Sequence, residues 1–308
     1  MIYTCTLNPS VDYILHVDTF EQGGLNRGNK TFYYPGGKGI NVSRVLTRLE
    51  VDNKALGFLG GFTGEFIKKE LEQEGITHSF TEIADTTRIN MKLKAQEETE
   101  INGPGPTISE EQQQQLLNHV KNMQKGDYLV AAGSIPASVS DDFYSVVAEL
   151  CKQQGVHLVV DTSSKALKDI IGHSLFLIKP NHHELAELVG EEIDTIETAA
   201  FYAKQLNEQG IENVIVSMGG QGAVFVSETE QFYAEVPKGQ VINTVGAGDS
   251  MVAGFMAAYQ NTGDKAAAFK QAVAAGSATA FSADLCERKD VETLLSAITI
   301  RQLEKESS

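Results

Sequence analysis

Cysteine is scarce: the 308 residues hold three, Cys5, Cys151 and Cys286. An odd, scattered set offers no disulfide framework and no metal-ligand spacing. It predicts packed thiols in a reducing compartment, the cytoplasm. Positive charge is also short, with 25 Lys and Arg against 41 Asp and Glu and a net charge of −16. That balance disfavours nucleic acid and anionic membrane as partners. No apolar run approaches a membrane span, the first residues lack a basic secretion-signal region, and there is no long repeat. What is left is an ordinary globular composition, 42% hydrophobic and 21% charged, with length enough for a large core. So acidic a chain binds a phosphorylated ligand only where a few cations gather locally. Lysines and arginines beside glycine turns therefore carry information.

Two glycine-rich stretches each open a helix. In the first, Pro35-Gly36-Gly37-Lys38-Gly39-Ile40-Asn41 precedes Val42, Val45, Leu46 and Leu49, which fall at i, i+3, i+4 and i+7. Backbone donors, a cation and an amide suit a phosphorylated or polyhydroxy ligand, or else form a structural turn with a solvated lysine. It is not a Walker A loop, because Phe32 stands where that motif needs its first glycine. In the second stretch, Asn243-Thr244-Val245-Gly246-Ala247-Gly248-Asp249-Ser250 precedes Val252, Phe255, Met256 and Tyr259 at the same spacing, an amphipathic helix. Small residues at a helix N-terminus leave N–H groups and the positive dipole end open to an anion. Asp249 is then a base beside an anion site, or simply the helix N-cap.

From residue 127 onward, apolar strands alternate with helices, the pattern of βαβ units in a parallel sheet covered on both faces. Ser134, Asp161, Asn181 and Ser217 all fall at carboxyl ends of these strands, where such sheets bind ligands. The opening residues differ. Ile2–Leu7, Val11–Val17 and Thr31–Tyr34 are extended without a helical period. Residues 87–94 alternate, with Ile89, Met91 and Leu93 on one face and Arg88, Asn90, Lys92 and Lys94 on the other. A basic strand face in so acidic a protein marks Arg88 and Asn90 as candidate ligand contacts.

Four of these stretches, in order, resemble the PfkB (ribokinase-like) carbohydrate kinases over nearly the whole chain. They are Pro35–Val42, Lys179-Pro180-Asn181-His182-His183-Glu184-Leu185, Ser217-Met218-Gly219-Gly220-Gln221-Gly222-Ala223 and Asn243–Gly254. Thr6-Leu7-Asn8-Pro9-Ser10-Val11-Asp12 looks like the phosphosugar branch, and its continuation most like the 1-phosphofructokinase members. The resemblance implies an α/β fold: a three-layer α/β/α core (1–11, 36–85 and 103–308) and an inserted β-sheet lid (12–35 and 86–102). It further implies a homodimer joined through the lid.

The implied reaction is ATP- and Mg2+-dependent phosphorylation of a ketohexose monophosphate. Fructose 1-phosphate going to fructose 1,6-bisphosphate is the first expectation; tagatose 6-phosphate and fructose 6-phosphate are the alternatives. By resemblance, Asp249 is the base, and Gly246, Ala247 and Gly248 hold the transferred phosphoryl. Asp12, Gly37, Lys38 and Asn41 contact the sugar. Lys38 and Arg88 take its existing phosphate, with Asn90 and Asn102 beside them. Ser217, Gly219 and Gly222 meet the nucleotide, with the adenine near Ala274–Ser277. Asn181 and Glu184 place Mg2+ through water. His182 and His183 are expected to be solvated or packed, since adjacent residues do not share a helix face. Asn243 stands where many relatives carry an aspartate of a monovalent-cation site, which speaks against potassium activation. A dinucleotide-binding dehydrogenase is disfavoured because Asn8-Pro9-Ser10, not a glycine fingerprint, follows the first strand. A non-catalytic regulator is disfavoured by Asp249 beside an intact Gly-Ala-Gly.

Overall fold

The computed structural model describes residues 1–303. Strand β1 (Ile2–Thr6) leads through Asn8-Pro9 into β2 (Ser10–His16), and a long loop precedes β3 (Lys30–Gly36). Helix α1 (Lys38–Arg48) follows at once, then β4 (Asn53–Leu59), α2 (Gly61–Gln73), β5 (Thr77–Glu82), β6 (Arg88–Lys94) and β7 (Glu98–Asn102). Regular alternation begins with α3 (Glu110–Lys121), β8 (Tyr128–Ala132), α4 (Phe143–Gln154) and β9 (His157–Asp161). It continues through α5 (Ser164–Lys168), β10 (Leu175–Ile178), α6 (His182–Val189), α7 (Ile196–Glu208) and β11 (Ile211–Ser217). The hairpin β12 (Ala223–Ser227) and β13 (Gln231–Ala234) precedes α8 (Ala247–Thr262), α9 (Lys265–Ala280), α10 (Arg288–Leu295) and β14 (Ile300–Gln302).

Among the described residues, ten strands form one sheet in the order β14-β13-β12-β11-β10-β9-β8-β1-β4-β5. It is parallel from β11 to β5 and antiparallel from β11 to β14. Every residue of β10 is buried, as a parallel strand covered on both faces requires. One apolar layer joins alternate strand residues to α3, α4, α6 and α7, and another joins the remaining ones to α1, α8, α9 and α10. This is the three-layer α/β/α arrangement the sequence predicts.

Helix α8 departs from the amphipathic expectation. Asp249 to Ala258 are all buried, because the alanine-rich α9 covers the face that periodicity alone would assign to solvent. Edge strands β5 and β14 were also outside the sequence reading, since an edge needs no continuous apolar run. No helix of the described residues is long and apolar enough to cross a membrane. The three cysteines are buried free thiols.

The second sheet has the order β3-β2-β6-β7. Its strands begin at Ser10 and extend to Gly36 and Asn102, slightly wider at the first pair than the expected 12–35. Register places Asp12 beside both Tyr34 and Asn90, and Asn90 beside Asn102. With a side-chain period of two, Ser10, Asp12, Arg88, Asn90, Lys92, Glu100 and Asn102 share one face. That face looks across at the carboxyl ends of the large sheet.

Candidate active site

Between the two sheets lies a cavity of about 780 Å3. Its floor is the carboxyl ends of β1, β8, β9, β10 and β11, the position where parallel sheets expose unpaired backbone groups and helix N-termini. The residues expected at the sugar, the metal, the nucleotide phosphates and the transferred phosphoryl line it: Asp12, Gly37, Lys38, Asn41, Arg88, Asn90, Asn102, Asn181, Glu184, Ser217, Gly219, Gly222 and Gly246–Asp249; of the expected adenine stretch Ala274–Ser277 only Gly276 and Ser277 do, and Asn243 lies outside it.

Gly246, not Asp249, is the N-cap of α8. Its φ of 79° is left-handed, and a Cβ there would lie 2.5 Å from Leu285 Cδ2. Asp249 therefore sits inside the first turn and makes no side-chain cap. It is 5% exposed, and Asn41 Nδ2 donates to its Oδ2 at 2.8 Å. Burial pushes its pKa up to about 6, Asp161 adds to the rise, and Lys38, the Asn41 amide and Lys179 oppose it. The result is a carboxylate still ionised at neutral pH but more basic than a surface aspartate, which suits proton abstraction.

Asp161 is expected at a strand end, without an assigned role. It ends β9, is 2% exposed, and lies 2.9 Å from Lys38 Nζ and 3.6 Å from Lys179 Nζ. Burial opposes its ionisation, but the two ammonium groups outweigh burial and hold its pKa below the usual range. For Lys38 the balance mirrors this. Burial would lower its pKa, while Asp161, Asp249 and Glu184 together raise it. Lys179 touches the helix terminus as well: a Cβ on Gly248 would meet its ammonium at 2.9 Å. Two cations thus stand beside the open N-terminus of α8, on the side facing Asp249.

The small sheet supplies a polar wall. Asp12 Oδ1 accepts from Ser10 Oγ at 2.8 Å and from Asn90 Nδ2 at 3.4 Å, and Asn90 also donates to Ser10 Oγ at 3.0 Å. Arg88 spends its terminal nitrogens on the carbonyls of Asn8 and Gly103, at 3.1 and 3.3 Å, while its buried Nε has no partner among the described residues. Lys38, expected at the sugar and its phosphate, lines the cavity at its floor, paired with Asp161.

Asn181 and Glu184 form a reciprocal capping box on α6. Asn181 Oδ1 accepts from the Glu184 N–H at 2.8 Å, and Glu184 Oε2 accepts from the Asn181 N–H at 2.9 Å. Glu184 Oε1 stays outside the box, 3.8 Å from Lys38 Nζ. Among the described residues no three His, Cys, Asp or Glu side chains cluster as a metal cage. His182 and His183 pack against each other with ring centroids 3.9 Å apart. At the far end, Ser217, the turn Gly219–Gln221 and Gly222 border a mostly apolar slot of Val236, Met251, Val273, Ala280 and Phe281.

Asn243 is occupied locally. Its Oδ1 accepts from the Val245 N–H at 3.1 Å and its Nδ2 donates to the Ala283 carbonyl at 3.4 Å. A carboxylate there would have no hydrogen to donate to that carbonyl.

The family model described as pfkB family carbohydrate kinase matches residues 6–290. The 1-phosphofructokinase of Bacillus subtilis (strain 168) is 52% identical over 303 residues, covering 98% of this chain and 100% of its own length. The 1-phosphofructokinase of Borreliella burgdorferi is 43% identical over 305 residues, covering 98% and 99%. Phosphofructokinase-2 from Escherichia coli, solved in complex with substrates and products, superposes with a TM-score of 0.92 at 30% identity, covering 96% of this chain and 98% of its own. A match running from β1 into α10, on a cleft with an acid at a glycine helix terminus, makes this chain a member of the pfkB family of carbohydrate kinases.

Proposed function

We propose that the chain is an ATP-dependent 1-phosphofructokinase, transferring the γ-phosphoryl of ATP to the C6 hydroxyl of fructose 1-phosphate in the cytoplasm. The observation that carries this reading is Asp249: a buried carboxylate, oriented by Asn41, at the glycine N-terminus of α8. The name carried by the relative at 52% identity supports the substrate. In the reaction Asp249 takes the hydroxyl proton and the sugar oxygen bonds to the γ-phosphorus. The bond from that phosphorus to the β–γ bridging oxygen breaks, and ADP leaves. Charge on the transferred group faces the N–H groups of Gly246–Gly248 and the ammonium groups of Lys38 and Lys179. Asp12, Gly37, Asn41, Asn90 and Asn102 hold the sugar, with Arg88 beside it. Ser217, Gly219, Gly222 and the apolar slot hold the nucleotide.

Mg2+ supplies charge neutralisation on the β and γ phosphates when bound. The donor set fits a hard ion that keeps its waters: Glu184 Oε1 and the Asn181 amide would hold it through water, with no cage of three acids required. A coupled assay with ATP and Mg2+ tests the substrate. Fructose 1-phosphate should exceed fructose 6-phosphate and tagatose 6-phosphate in kcat/KM by about tenfold or more. Higher activity on either competitor would replace the assignment.

We infer, too, that two copies pair through the small sheet. Its face away from the cleft leaves Tyr33 and Ile101 57% exposed and Ile89 42% exposed, with Tyr13 stacked on Tyr33 at 4.9 Å. Apolar residues gathered on one face mark an interaction surface. Light scattering should find a dimer for the wild type and a monomer for Tyr33→Asp/Ile101→Asp. A monomeric wild type rejects the pairing.

A further inference from the structure

Asp161 is a buried carboxylate at the cleft floor with no proton to take in the transfer. Its side chain is 1% exposed. Its backbone is fixed from both sides. Strand β9 lies between β8 and β10, the Asp161 carbonyl accepts from the Gly133 N–H at 3.0 Å, and Thr162 Oγ1 donates to the Gly133 carbonyl at 2.8 Å. A carboxylate at the end of a central strand is a rigid anchor, because strands hold side chains more precisely than loops do.

What it holds is mobile by nature. Lys38 and Lys179 carry their ammonium groups on flexible four-carbon stems. They reach the floor from different elements: Lys38 is the first residue of α1, and Lys179 follows β10. Lys38 Nζ donates to Asp161 Oδ1 at 2.9 Å, and Lys179 Nζ stands 3.6 Å from Oδ2. The second distance is an ion pair without a hydrogen bond, and Oδ2 is buried with no hydrogen-bond partner among the described residues. The Lys179 ammonium lies instead against the terminus of α8, where a Cβ on Gly248 would meet it at 2.9 Å.

Asp249 competes for the same cations. Among the described residues it makes no ion pair, and its Oδ2 accepts from the Asn41 amide. Lys38 and Lys179 are nonetheless near enough to favour its charged form. A lysine that closed on Asp249 would occupy the oxygen the sugar hydroxyl needs and make the carboxylate a weaker base. Glu184 also draws on Lys38, but from 3.8 Å and with a side chain 25% exposed. The buried acid that holds both lysines is Asp161.

We propose that Asp161 is a positioning residue: it anchors the Lys38 and Lys179 ammonium groups beside the anion-binding terminus of α8 and keeps both off Asp249. The cations then meet the transferred phosphoryl already in place, without reorganising during the reaction. The base stays free for the hydroxyl. This inference rests on the reading of Asp249 as the base.

The test measures kcat, KM and the pH profile with fructose 1-phosphate and ATP. Asp161→Asn keeps the size of the side chain and removes its charge. Its kcat should fall about 10- to 100-fold, the range for misplaced catalytic groups, with both KM values within about threefold of wild type. The acid limb of the kcat profile, expected at about 6 in the wild type, should move down by about one pH unit, because a like charge leaves and the ammonium groups turn to Asp249. A residue that only stabilised the fold would lower the active fraction and leave the limb in place. An unmoved limb or an unchanged kcat therefore overturns the proposal. Should Asp161→Asn fail to fold, Asp161→Glu decides, since it keeps the charge and displaces it by one methylene. Its kcat should fall about tenfold or more with the limb still near 6, and a wild-type kcat overturns the anchoring. A wild type with no acid limb near 6 overturns the reading of Asp249 as the base, and the role of Asp161 with it.

Discussion

Asp249→Asn should lower kcat by about two to four orders of magnitude, the usual contribution of a positioned general base. The KM values for sugar and ATP should change by less than about threefold, because the amide keeps the shape of the carboxylate and removes only its basicity. A variant that kept near wild-type turnover would show that the proton goes elsewhere. The wild type supplies a companion measurement. With the Asp249 pKa pushed up to about 6, mainly by burial, kcat should fall as pH drops through about 6, where the carboxylate takes its proton. The same shift has a stability consequence of definite sign. A carboxyl whose folded pKa is raised favours the folded state below its unfolded pKa, and loses that advantage as pH rises through the folded value. At pH 8 the ionised side chain therefore weakens the fold, and Asp249→Asn should be more stable there, by on the order of 2 kcal/mol. Loss of turnover with a gain of stability distinguishes a base from a structural residue, for which both would fall together.

Arg44→Ala should cost about 3 kcal/mol of stability, the lower end for breaking a buried ion pair, because its partners are partly exposed. Arg44 is 3% exposed and pairs with Glu74 at 2.8 Å and Asp284 at 2.9 Å. Burial would lower its pKa, but the two carboxylates outweigh burial and hold it above the ordinary arginine value. The pair ties α1 to the end of α2 and to the segment after α9. That segment carries Leu285, whose side chain occupies the space a Cβ on Gly246 would need and whose carbonyl accepts from Arg48 Nη1 at 2.5 Å. Lys38, Asn41, Arg44 and Arg48 follow one stripe of α1 at spacings of three and four residues, so a single helix sets both the catalytic polar groups and this clamp. Asp284 is held below the usual carboxylate range chiefly by Arg44 against the effect of burial, so the wild type's advantage should shrink as pH falls below about 4. Denaturant unfolding at pH 7 and at about pH 2.5 checks this. A loss under about 1 kcal/mol at pH 7 would mean that Arg48 alone holds the segment.

Much of the site was legible because its parts are local. Glycine before an apolar repeat marks a helix start wherever the helix later packs, and both α1 and α8 begin within such stretches. The Asn-x-x-Glu spacing was legible too, but with two meanings. The same offset that places a metal-binding pair also places a capping box, and the structure contains the box. The whole-length match to carbohydrate kinases was visible in four stretches, since each sits at a strand end where backbone geometry restricts the side chains allowed.

The sequence by itself determined the alternation of strand and helix, the glycine helix entries, and which polar residues end the strands, because these follow from periodicity and backbone conformation within a few residues. The tertiary structure alone decided which charges neutralise which. Asn41 meets Asp249 across 208 residues and Lys38 meets Asp161 across 123. No local pattern records such pairs, since a charge has no direction along the chain. It takes the partner that folding brings within a few ångströms in a low-dielectric site. That pairing holds Lys38 at the cleft floor.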